Sequence, residues 1–172
     1  MLIKVIPLGK IPEKFVDILI EELNRELSHR FQKVGQMNFP EKSYDRFKEQ
    51  YKTELVMDEL RDKGIVLAVT DEDIYASGLN YVYGQAEYRG PAIVSMARLK
   101  PEFYGNDTNF EILKSRLVKE CIHELGHVFG LNHCNNPKCV MSYSNNIKPL
   151  DRKTKDFCDS CQVKISTEGI EL

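Results

Sequence analysis

Three of the chain's four histidines lie in one stretch, His123-Glu124-Leu125-Gly126-His127-Val128-Phe129-Gly130-Leu131-Asn132-His133. His123 and His127 are spaced so that, on an α-helix, they project about 40° apart on one face and roughly 6 Å apart along the axis. Two imidazoles so placed can hold one metal ion. Glu124 is not spaced as a ligand, but it can reach a water on that ion. This is the arrangement of a zinc hydrolase with a glutamate general base. If the helix continued, His133 would sit about 9 Å beyond His127, too far to share the ion. Gly130 can take the left-handed conformation that ends a helix and reverses the chain. His133 would then swing back beneath the ion. Three neutral ligands leave a fourth position for water, which marks a catalytic rather than a structural site.

The whole string, followed by Met141 eight residues after His133, is similar to the metzincin signature, in which the methionine sits in a turn below the histidines. Two histidines on a helix surface with no metal would be the bland alternative. The full set of fixed residues makes chance an unattractive explanation. Under the zinc reading, the metal lowers the pKa of a water to about 7 and Glu124 takes its proton.

Four of the five cysteines follow at once. Cys134 directly succeeds His133. Cys134 and Cys139 enclose a turn-forming Asn135-Asn136-Pro137-Lys138, and Cys158 and Cys161 form a second short-spaced pair. Two such pairs fit a tetrahedral four-thiolate zinc site. Two disulfides, a C-x-x-C redox pair and a nucleic-acid-binding zinc module are the competing readings. A closed zinc here would anchor the backbone that delivers His133 and tie down residues 141–157, which carry little apolar content. Two zinc ions with different tasks are therefore expected, an open one for chemistry and a closed one for folding. Cys121, two residues before His123, falls on another side of the helix and reads as a small buried hydrophobe.

The residues from His123 to Cys161 resemble the archaemetzincins, a family of zinc metalloproteases. The three-histidine motif runs straight into Cys134, then Cys139, Met141, Cys158 and Cys161, and all of these positions are present. The match carried by these motifs covers about the last quarter of the chain. The resemblance implies an α+β metzincin-like zincin fold, with a twisted mixed β-sheet, two long helices and a small C-terminal zinc-stapled subdomain. It implies an upper subdomain over residues 1–130, an active-site helix at about 108–130 and a lower subdomain over 131–172, all one catalytic domain. It also implies an antiparallel edge strand above the cleft, placed at residues 80–87, on which an extended peptide could pair. Tyr143, two residues after Met141, matches a tyrosine that lies near the zinc in some metzincins and can stabilise the transition state. A zinc-dependent peptide-binding protein with little catalysis is the alternative, against which the intact Glu124 argues.

Other parts of the chain must position this site. Its 172 residues suit one domain with a real core. Hydrophobic residues make up 42% and the net charge is −2, so nothing electrostatic favours nucleic acid or anionic membrane. No run approaches a membrane span. The expectation is a cytoplasmic monomer acting on a peptide or protein substrate, with neither nucleic acid nor membrane as partner. Residues 2–6 read as a buried strand rather than a leader. Pro12 opens a helix in which Phe15, Leu19, Leu23 and Leu27 form an apolar stripe, and His29 is placed at its C-terminus on the helix dipole. Residues 31–39 suggest a short strand or hairpin arm. Ser43 could cap a second helix with Tyr44, Phe47, Tyr51 and Leu55 as its stripe and a basic, solvated outer face. Residues 65–69 are apolar throughout, as in a strand covered on both faces. Residues 70–73 read as a polar turn rather than a calcium loop, and 92–97 as another strand. Thr108 and Glu111 have capping-box spacing for a helix whose stripe is Phe110, Leu113, Leu117 and Cys121 and which runs on into His123.

Overall fold

The computed structural model describes residues 1–170. Residues 171 and 172, at the end of the expected lower subdomain, lie outside the described residues. The chain order is β1 (Leu2–Leu8), α1 (Glu13–Glu26), β2 (Arg30–Lys33), β3 (Tyr44–Asp45), β4 (Gln50–Lys52), α2 (Thr53–Leu60), β5 (Val66–Thr70), β6 (Ile74–Tyr75), β7 (Gly84–Ala86), β8 (Ala92–Ser95), α3 (Phe110–Val128), α4 (Ile147–Arg152) and α5 (Asp159–Thr167). The architecture is α+β. Five strands form one mixed sheet in the order β2-β1-β5-β8-β7, and β3-β4-β6 form a second, smaller one. In the large sheet the first four strands run parallel. The edge strand β7 pairs antiparallel to β8, with Gln85 opposite Ile93.

The apolar run at β5 behaves as its composition requires. All five of its residues are buried, because alternate side chains face opposite covers. Leu67 and Val69 join Ile3, Val5 and Val94 in the core shared with α1 and α3. Val66 and Ala68 face Val56, Met57 and Leu60 of α2 on the other side. Helix α1 follows the expected stripe, with Pro12 as its N-cap and Val16, Leu19 and Leu23 buried. Helix α3 begins one residue later than the capping-box spacing indicates. Asn109 is the cap, and its side chain accepts a bond from the Ile112 amide. Leu113, Leu117 and Cys121 are buried in the expected stripe, but Phe110 is left partly exposed at the first turn.

The helix expected from Ser43 does not form. Glu41–Ser43 is a single 3-10 turn, residues 44–52 make the β3–β4 hairpin, and α2 starts only at Thr53. The aromatic spacing has a different cause. Tyr51 stacks on Phe39 at 3.8 Å and meets Tyr44 across the hairpin at 5.0 Å, while Phe47 is fully exposed at the tip. His29 also departs from expectation. Helix α1 stops at Glu26, and His29 is buried, edge-on to Phe129 at 5.0 Å and 3.5 Å from the N-terminal amine. The strand expected over residues 80–87 is confined to Gly84–Ala86, and the polar 70–73 segment is a turn bound to Arg98 and Lys100.

Candidate metal centre

Helix α3 carries Glu120, His123, Glu124 and His127 on one face, the first three buried and His127 half-buried. Its outer end is clamped by Arg116, which donates to both oxygens of Asp151 on α4 at 2.7 and 2.8 Å and to the Leu99 carbonyl at 2.9 Å. The helix ends where glycine permits. Gly130 has φ +93°, a conformation that costs a side chain with a Cβ, and the Leu131 amide turns back to the Gly126 carbonyl. The chain reverses and brings His133 to the other two rings. Ring centroids are 4.7 Å (His123–His127), 5.3 Å (His123–His133) and 4.9 Å (His127–His133), and one nitrogen from each lies within 4.8 Å of the others.

Two backbone carbonyls fix the tautomers. His123 Nδ1–H donates to Val140 O at 2.8 Å and His127 Nδ1–H to Leu131 O at 2.7 Å. Burial, ahead of the neighbouring cations, holds the His123 imidazole well below its usual range. Desolvation does the same for His127 and His133. Neutral rings with protonated Nδ1 present bare lone pairs at Nε2. The Nε2 atoms of His123 and His127 are 3.2 Å apart. No proton is left to bridge them, so the pair is repulsive unless a cation stands between. Tetrahedral zinc with Zn–N of about 2.0–2.1 Å needs nitrogens about 3.3–3.4 Å apart, which these residues fit.

Glu124 is buried. Desolvation raises its carboxyl well above the usual range, and the Glu120 carboxylate, within 4.8 Å, raises it further against the opposing Lys153. The edge strand lies directly on Glu124. A Cβ on Gly84 would fall 2.6 Å from Glu124 Cγ, so only glycine lets β7 approach this closely. Met141 is fully buried with its sulfur against Gly126, between the two histidine turns. Tyr143 is 59% exposed, its ring 5.1 Å from that of His133. The cleft over these residues has a volume of about 870 Å³ and runs between β7 with its preceding tyrosines and residues 130–145.

The other four cysteines also converge. Cys134 Sγ is 3.7 Å from Cys158 Sγ, Cys139 Sγ is 3.8 Å from Cys161 Sγ, and all four lie within 4.8 Å of one another. None of the described cysteines is in a disulfide. With Zn–S of about 2.3 Å, tetrahedral thiolates stand about 3.8 Å apart. The Cys161 amide, as the main cause, pulls the Cys158 thiol down to about 7, while desolvation raises Cys139 and Cys161. The Cys134 amide donates to Met141 O at 2.9 Å, so the cluster is joined by backbone to both His133 and Met141. Cys121 stands apart, fully buried in the core.

Some residues lining the cleft are not evident from the motif. Lys153 has a fully buried side chain and approaches Glu120 Oε2 at 3.9 Å, and both line the cleft together with Ser144. Glu120 stands one helical turn before Glu124, a spacing legible in the sequence. Lys153 comes from a segment with no such mark.

A glycine-ended helix with two histidines and a glutamate, a third histidine on the returning chain and a buried methionine beneath define a metallopeptidase of metzincin type. The chain belongs to the archaemetzincins: the peptidase family M54 model matches residues 12–167. It is 40% identical over 168 residues to an archaemetzincin of Methanocaldococcus jannaschii, covering 96% of this chain and 93% of the relative. Among solved structures, the archaemetzincin of Archaeoglobus fulgidus complexed with malonate superposes with a TM-score of 0.86 at 34% identity, covering 95% of this chain and 99% of that one. A zinc-dependent peptidase from Methanocorpusculum labreanum gives 0.83 at 32% identity, with the same coverage. Among the described residues no helix is long and apolar enough to cross a membrane.

Proposed function

We propose that His123, His127 and His133 hold a catalytic zinc, that Glu124 is the general base of peptide-bond hydrolysis, and that Cys134, Cys139, Cys158 and Cys161 hold a second zinc whose task is structural. The observation that supports this most is the pair of Nε2 atoms 3.2 Å apart, with the Nδ1 of each ring set against a backbone carbonyl. Zinc, when bound there, supplies Lewis acidity, acidifying water and polarising the substrate carbonyl. Glu124 accepts the proton of the attacking water and delivers it to the leaving amine. Burial, which raises its carboxyl, suits a group that must both take up and release a proton near neutrality. The free edge of β7 gives an extended peptide a ladder of backbone partners directly above Glu124. Met141 supplies an apolar floor and does not ligate. Residues 1–172 act as one catalytic domain in this reading, with the lower part from residue 131 tethered by the cysteine site. The substrate is a peptide or protein, and the protein acts as a cytoplasmic monomer with no nucleic-acid or membrane partner.

His127→Ala tests the metal assignment. Zinc content should fall from two ions per chain to one, with the cysteine site still filled and hydrolysis lost. Two ions retained in that variant would remove His127 from the ligand set. Tyr143, which lines the cleft with its ring beside that of His133, is assigned to the transition state. Tyr143→Phe should lower kcat by about tenfold or more at unchanged KM. An unchanged kcat would reduce Tyr143 to a packing role.

A further inference from the structure

The cleft has a direction. At one end the Tyr81 hydroxyl donates to the Asn145 carbonyl at 3.0 Å, and at the other the Tyr88 hydroxyl donates to Glu168 beside Gly130. Strand β7 therefore runs from the Asn145 end towards the Gly130 end, passing over Glu124 at Gly84. A peptide paired antiparallel to its free edge, the commoner and slightly more stable pairing, runs the opposite way. The residue that follows the scissile bond then lies on the Asn145 side. On that side, one helical turn back from Glu124, the cleft is lined by Glu120, Lys153 and Ser144.

These groups are poorly served by the protein itself. Glu120 is 5% exposed, and neither its Oε2 nor the buried Ser144 Oγ has a hydrogen-bond partner among the described residues. Lys153 Nζ, with a fully buried side chain, has only long approaches: 3.3 Å to Ser142 O, 3.9 Å to Glu120 Oε2, and 3.4 Å to His123 Nδ1, whose proton is already given to Val140. An apolar side chain entering here would leave an acceptor and a donor unpaired, which is costly once water is excluded. A cationic side chain, though drawn to the carboxylates, would meet the Lys153 ammonium and offer it no acceptor. A carboxylate would join Glu120 and Glu124 as a third acid. A carboxamide carries a donor for Glu120 Oε2 and an acceptor for Lys153 or Ser144 on one neutral group.

We propose that Glu120, Lys153 and Ser144 form a specificity recess for a glutamine or asparagine side chain on the residue immediately after the scissile bond. This rests on the peptidase reading above. Its test is calorimetric binding to the zinc-loaded full chain of a series of short peptide hydroxamates, in which the first side chain beyond the metal-binding group is Gln, Asn, Leu, Lys or Glu. A carboxamide should bind about tenfold or more tighter than the other three, because a site built for hydrogen bonding penalises side chains that leave it unpaired. The double substitution Glu120→Leu/Lys153→Met, which exchanges a buried ion pair for apolar groups of similar bulk, should invert the order in favour of Leu. Ser144→Ala should cut the carboxamide preference at least about threefold, and it serves as the check if the double variant does not fold. Tightest binding by Leu in the unaltered protein, binding equal across the series, or a preference unmoved by the substitutions would overturn the recess and leave the peptidase reading standing. Failure of every hydroxamate to bind the zinc-loaded protein would overturn both.

Discussion

Glu124→Ala is expected to lower peptide hydrolysis by about 10³-fold or more while both zinc ions stay bound. The carboxylate is not spaced to ligate, and the three imidazoles are oriented by Val140 and Leu131 without its help. What disappears is the group proposed to take the proton from water and return it to the amine. The same substitution should leave stability unchanged or improved. Glu124 and Glu120 are buried carboxylates within 4.8 Å of each other, sharing Lys153 as their neighbouring cation. Removing one relieves a like-charge contact that folding alone would not maintain. The checks are kcat/KM on a cleaved peptide, zinc per chain and Tm on one preparation. Retained hydrolysis, within tenfold of the parent, would contradict the role of Glu124. A large fall in Tm would contradict the claim that this carboxylate is held at a cost.

Cys158→Ser is expected to have the largest effect on stability. A four-thiolate zinc site contributes about 10–16 kcal/mol in small zinc-binding domains, against about 5–15 kcal/mol for the net stability of a whole domain. Cys158 also stands at the N-cap of α5, with its thiol drawn down to about 7, mainly by the Cys161 amide. Its loss should release the cysteine-bound zinc and lower Tm by about 20 °C or more. The damage should spread to the catalytic ion, because Cys134 adjoins His133 in sequence and holds Met141 by a backbone bond. Affinity of the histidine site for zinc should therefore weaken in a variant that touches none of its ligands. A Tm within a few degrees of the parent, with both ions retained, would show that the cysteines do not staple this part of the fold.

The site was readable in sequence because its logic is local. His123, Glu124, His127, Gly130 and His133 act through helical spacing and one chain reversal, and both follow from residue type and separation alone. The strand at β5 and the stripe of α1 were readable for the same reason. The β3–β4 hairpin was not. Tyr44, Phe47, Tyr51 and Leu55 have helical spacing, but what orders Tyr51 is Phe39, which lies outside that stripe and stacks on it. Helices α4 and α5 escaped notice because they carry little apolar periodicity: α4 is held by Arg116 of α3, and α5 carries Cys161 of the cysteine cluster. Lys153 escaped for a deeper reason. A lysine is among the least expected residues to be fully buried. Its neighbours Glu120 and His123 lie on a different element, so no short window of sequence contains them together.

The account turns on one ion at the three histidines that is separable from the ion at the four cysteines. The most direct measurement is hydrolysis of a cleaved peptide during zinc titration of chelator-treated full-length protein that retains one equivalent. Activity should be absent at one zinc per chain, rise in proportion to the second equivalent and level off at two. Full activity with one equivalent, or none after two have bound, would contradict it.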